Sequence, residues 1–159
     1  MAEQNNLTKA RAEFSTLCQA LDNIQWVYKK DTENLSIECA VKGEDIPMDI
    51  IIKIDTNRML VLLVSKIQFF IQEDKRIDVA IAVTALNNCL VHGCFDYDIS
   101  SGGLFFRMTN SFTDSILGED VYSYLISCAC QTIDEYNDKL LMLAKGMVSV
   151  EQFISALKN

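Results

Sequence analysis

Residues 48–67 read MDIIIKIDTNRMLVLLVSKI, and this stretch decides the fold. Met48, Ile50, Ile52 and Ile54 alternate with Asp49, Lys53 and Asp55, the period-two pattern of a strand that buries one face. Thr56-Asn57 supplies turn chemistry, and Arg58 to Ile67 returns as a second strand. Strands joined so tightly pair antiparallel, because a parallel pair needs a long crossover. The second strand differs from the first: Met59-Leu60-Val61-Leu62-Leu63-Val64 is apolar on both faces. That predicts an inner strand covered on both sides, or one that contributes to a subunit contact.

Upstream, Leu35, Ile37, Cys39 and Val41 alternate with Ser36, Glu38 and Lys42, and Gly43 to Pro47 breaks the pattern. Before the turn at Asp31-Thr32-Glu33-Asn34, Ile24, Trp26 and Tyr28 share a face, which predicts a further strand. The chain opens on an amphipathic helix with Leu7, Ala10, Phe14, Leu17 and Leu21 on its apolar side and Asn5 or Asn6 as cap. Downstream, Glu73-Asp74 begin a helix running to about Val91, with Gly93 as its stop. Its centre, Val79 to Leu86, is apolar almost all round, so it is expected to be central or to lie in an interface. Cys94 to Ile99 and Leu104 to Thr109 flank Ser100-Ser101-Gly102-Gly103, a hairpin signal. Glu119-Asp120 start a long helix with Tyr122, Ile126, Ala129, Ile133, Tyr136, Leu140, Leu143 and Met147 at steps of four and three. Ser149 with Gln152 resembles a capping box for a last helix through Leu157.

The expected fold is α+β: an antiparallel sheet with helices packed on it, in the order α-β-β-β(-β)-α-β-β-α. One domain is expected over residues 1–159, with a core at about 7–147 and a short terminal helix at 149–157. Half of the residues are hydrophobic and 23% are charged, a balance that favours folding over disorder. The net charge of −8 disfavours nucleic acid, whose phosphates need clustered Lys and Arg. Met59 to Val64, the longest apolar run, falls far short of the ~20 residues that span a bilayer. The polar start Met1-Ala2-Glu3-Gln4-Asn5-Asn6 does not read as a secretion signal, so a cytoplasmic location is expected. The six cysteines are then expected to be free thiols that pack as small hydrophobes.

Ala80-Ile81-Ala82-Val83-Thr84-Ala85-Leu86-Asn87-Asn88, leading into Gly93-Cys94-Phe95-Asp96-Tyr97-Asp98 and then Leu104-Phe105-Phe106-Arg107-Met108, resembles the YbjN-like family over about residues 7–145. The resemblance implies a fold similar to that of the type III secretion chaperones, acidic homodimers that hold extended client segments without hydrolysing ATP. It carries no catalytic signature and no specific binding residues.

Candidate sites for chemistry each lack a component. Cys89-x-x-His92-x-Cys94 holds the only histidine, but zinc wants four ligands and this is one cluster. A thiol nucleophile would need His92 within reach and a further group to orient it. Cys128-x-Cys130 lies in a helix, where residues two apart do not share a face. Asp96 and Asp98 share a strand face and, with Asp114, Glu119 and Asp120, could gather around Mg²⁺ or Ca²⁺, although a solvated face explains them equally. No cofactor is expected. Phe69, Phe70 and Phe105 cannot all face one core, and with Val79, Val83 and Leu86 they are the candidate interface. The expected function is therefore a non-catalytic protein-binding module, chaperone-like or regulatory, acting as a homodimer and meeting a protein client or regulatory partner but neither nucleic acid nor membrane. The alternative is a small enzyme or metal-binding protein using Cys89, His92 and Cys94 or the Asp96/Asp98 cluster.

Overall fold

The computed structural model describes residues 2–157. The elements run α1 (Ala2–Asn23), β1 (Lys29–Asp31), β2 (Ser36–Val41), β3 (Met48–Asp55), β4 (Leu60–Lys66), a 3-10 turn (Glu73–Lys75), α2 (Arg76–Asn87), β5 (Cys94–Asp98), β6 (Gly103–Ser111), α3 (Glu119–Ala144) and α4 (Val150–Ala156). All strand pairs are antiparallel, in the order β1-β2-β3-β4-β6-β5. The expected meander, hairpin and element order are all present.

Register explains the core. Ile37 lies opposite Ile52, Ile52 opposite Leu63 and Leu63 opposite Met108, so one row of buried side chains crosses four strands. The next row on that face runs through Cys39, Ile50, Ser65, Phe106 and Phe95. The helices cover this face, and the buried stripes of α1, α2 and α3 join it in one cluster.

Three hairpins share one device. Asp31 Oδ1 accepts from the N–H of Glu33 and Asn34, Asp55 Oδ1 from Asn57 and Arg58, and Asp98 Oδ1 from Ser100 and Ser101. The residue four places after each aspartate takes a left-handed conformation: Leu35 (φ 49°), Met59 (φ 54°) and Gly102 (φ 78°). Only Gly102 does so without a steric cost. Leu35 and Met59 hold the conformation because their side chains are buried in the core.

Several boundaries differ from the sequence reading. Helix α1 already includes Asn5 and Asn6, so neither caps it. The alternation at Ile24, Trp26 and Tyr28 is not a strand: Trp26 N–H bonds Leu21 O and Gln25 N–H bonds Asp22 O, both at 3.0 Å, with Gln25 at φ 56°. This is a Schellman stop with glutamine in place of glycine. Helix α2 ends at Asn87, short of Val91, because the Asn87 carboxamide turns to β5 and bonds both the N–H (2.8 Å) and the C=O (2.9 Å) of Phe95. Helix α3 stops at Ala144, before Met147, at a second Schellman turn with Gly146 at φ 70°. The capping box of α4 forms as expected, with Ser149 Oγ accepting from Gln152 N and Gln152 Oε1 from Ser149 N.

Candidate interaction surface

Strand β4 is an inner strand, between β3 and β6, but helices cover only one of its faces. Val61 and Leu63 are fully buried, whereas Leu60, Leu62 and Val64 on the other face are half-buried. Register extends this uncovered face across the sheet: Val64 lies between Ile51 and Arg107, Leu62 between Lys53 and Thr109, and Lys66 between Asp49 and Phe105. Ile51 is 44% exposed. The result is an apolar strip of Ile51, Leu60, Leu62 and Val64 with charged residues around it.

The predicted interface residues divide. Phe105 is half-buried on the uncovered face, directly opposite Lys66. Phe70 is 61% exposed, and Lys66 Nζ sits 4.9 Å from its ring centroid, so Phe70, Lys66 and Phe105 form one corner. Phe69 is half-buried against the core. Val79, Val83 and Leu86 are corrected: all three are buried within this chain and cannot present a surface. The apolar residues that α2 leaves outside are Ile77 and Ile81. An apolar helix buries whichever stripe meets its neighbours, here β5, α3 and α4.

The candidate chemical groups are engaged elsewhere. Cys89 is exposed and its thiol donates to Ala85 O at 3.5 Å. His92 stands edge-on to Tyr124 with centroids 5.5 Å apart. Arg107 Nη2 lies 3.4 Å from Cys94 Sγ and 3.1 Å from Asp96 Oδ1, and its Nε completes a two-point pair with Asp96. Among the described residues no group of three His, Cys, Asp or Glu is placed to hold a metal ion. Burial pushes the Cys94 thiol up, and pushes Cys39 and Cys130 up to about 11, the opposite of an activated nucleophile. Hydrogen bonds from Ser100 and Ser101 hold Asp98 down at about 2, so it serves the hairpin turn. Glu119 accepts from Asn23 Nδ2 at 2.6 Å.

Two features escape the sequence reading. Glu13 is 1% exposed in α1 and accepts from Tyr122 OH at 2.7 Å and Leu117 N–H at 3.2 Å, fixing the entry to α3. A groove of about 340 Å³ lies between α3 and α4, with Tyr136, Met142, Val148, Phe153 and Leu157 in its walls. The pattern of α3 places Tyr136 toward the apolar side, but only packing shows that α4 stands off from it.

The sequence matches no family model and no curated protein significantly. Among solved structures, this chain is similar to YbjN from E. coli, a protein provisionally assigned there as a transcription regulator. The TM-score is 0.57 at 12% identity, over 79% of this chain and 92% of that one. The chain therefore has the YbjN-like α+β fold. No helix among the described residues is long and apolar enough to cross a membrane.

Proposed function

We propose that this chain is a non-catalytic protein-binding module, chaperone-like or regulatory, that acts in the cytoplasm as a homodimer and uses the uncovered face of its sheet as the contact. The observation that carries the reading is the strip of Ile51, Leu60, Leu62 and Val64, which lies on an inner part of the sheet with no helix of the described residues above it. Burying such a strip against a second protein surface gains ~25 cal/mol per Å² of apolar area. The six free cysteines suit a reducing compartment. The regulatory assignment given to the YbjN neighbour is compatible with the same reading.

Light scattering coupled to gel filtration tests it. The expected mass at micromolar concentration is twice the 17.9 kDa of one chain, with Leu62→Glu returning to the single-chain value. A wild-type mass of 17.9 kDa would remove the homodimer. A dimer that survives Leu62→Glu would move the contact to another surface.

A further inference from the structure

Alternate residues of an antiparallel strand turn their N–H and C=O toward opposite neighbours. In β6 the parity is fixed by two bonds of 3.0 Å: Phe112 N–H to Met59 O and Ile67 N–H to Leu104 O. Even-numbered residues therefore bond β4, and Phe105, Arg107 and Thr109 face β5. Strand β5 ends at Cys94, opposite Arg107. Thr109 lies one step beyond that end, exposed, with its N–H and C=O both directed where no strand of the described residues lies.

The gap has a local cause. Gly93, at φ 74°, turns the chain off the line of β5, and a Cβ there would meet Phe106 Cζ at 2.4 Å and Met108 Cγ at 2.9 Å. The backbone thus drops toward the helix layer, where His92 meets Tyr124. What remains beside Thr109 is a slot of about 290 Å³, walled by His92, Tyr124 and Leu125 on one side and by Cys94 and Arg107 at its closed end. The edge of β5 is occupied at Phe95, where Asn87 bonds both outward groups. At the far edge, β1 is three exposed residues, Lys29-Lys30-Asp31. Charge and capping of this kind are how sheets protect their edges; because β1 begins at Lys29, Ala40 is left as open as Thr109, but only the Thr109 slot has helix residues, Tyr124 and Leu125, in its wall.

We propose that the Thr109 edge is a strand-addition site for an extended peptide segment of a partner protein, which continues the line of β5. The hydrogen-bond pattern sets the occupant: a donor and an acceptor on one residue, aimed the same way into a slot, match a peptide main chain lying ~4.8 Å from β6. Side chains on one side of the segment enter toward Tyr124 and Leu125 and are apolar. Those on the other side meet the Arg107–Asp96 pair and are polar. The inference rests on the protein-binding reading but uses the sheet edge, not the face assigned to the dimer.

A displayed library of random octapeptides, panned against the full chain, supplies the probe, and enriched peptides are titrated by calorimetry. Thr109→Pro removes only the outward N–H, which an edge position tolerates, and leaves the bonds of Met108 and Asn110 to β4. Ala40→Pro is the control, because Ala40 turns its N–H outward in the same way at the opposite edge of the sheet. The expected result is at least about tenfold weaker binding to Thr109→Pro, with Ala40→Pro unchanged. N-methylation of alternate peptide residues should abolish binding in one phase and spare it in the other, a readout on the wild-type chain that decides the matter if Thr109→Pro fails to fold. Failure to enrich any peptide, or equal binding to wild type and Thr109→Pro, overturns the proposal. Peptides lost on Leu62→Glu but kept by Thr109→Pro bind the uncovered face, which overturns the edge site while leaving the protein-binding function standing.

Discussion

Strand β4 presents the same residue types to two environments. Val61 and Leu63 point into the helix layer and are fully buried, while Leu60, Leu62 and Val64 point to a face that no helix of the described residues covers. Their apolarity is equal, so it measures demand for cover and says nothing about which layer supplies it. The covered face obtains its layer from three helices brought together from distant parts of the sequence. The uncovered face has the same demand and only a charged rim, and the proposed partner answers that demand.

Alanine at adjacent positions should separate the two faces most strongly. Leu63→Ala leaves a cavity in a packed core and should cost about 3 kcal/mol in urea unfolding. Leu62→Ala should cost under about 1 kcal/mol when the chain is dilute, because that side chain is already partly wet. At high protein concentration the Leu62→Ala cost should grow, since a dimer stabilises the folded state by mass action. Equal costs at all concentrations would erase the distinction between the faces.

A carboxylate on the covered side tests how far that side depends on polar pairing. Removing the Glu13 side chain leaves Tyr122 OH and Leu117 N–H buried without their acceptor, so Glu13→Ala should cost about 2 kcal/mol. Glu13→Gln keeps an acceptor oxygen and should recover part of the loss. Thermal unfolding followed at the start of α3 reads both variants, and a neutral Glu13→Ala would mean that the Glu13 bonds add nothing beyond what solvent supplies.

Much of the fold was legible because its signals were local. The seven periodic apolar positions of α3 from Tyr122 to Leu143, the Ser149–Gln152 box and the Gly102-Gly103 hairpin each lie within a few residues of the structure they produce. The features that were not legible depend on distant partners. Gln25 stops α1 without the glycine that usually marks such a turn, and the buried role of Glu13 depends on Tyr122, 109 residues away. Helix α2 is too evenly apolar for its period to choose Val79, Val83 and Leu86 over Ile77 and Ile81, so the neighbours chose. For the uncovered face, Met59 to Val64 showed the two apolar sides but not which one the helices cover, while the slot at Thr109 exists because Gly93, before the adjacent strand, turns the chain away.

The smallest effect belongs to the carboxylates of the open side, Asp96 and Asp98, which share the uncovered face with Arg107. Asp98 is held at about 2 against an ordinary 3.8 by Ser100 and Ser101, and the Arg107 guanidinium draws Asp96 down in the same direction. A carboxylate whose folded pKa lies below its unfolded value contributes stability that is complete above the unfolded value and disappears as pH falls through the folded one. Asp98→Asn should therefore melt a few degrees below wild type at pH 6, and the gap should close between about pH 4 and pH 2. Salt screens the Arg107–Asp96 pair but not the Asp98 bonds to neutral hydroxyls and N–H groups, so the Asp98→Asn gap should change little in high salt. A gap that stays constant from pH 6 to pH 2 would show that the turn needs the shape of the side chain and not its charge, and that charge on the uncovered side serves the rim of the interface alone.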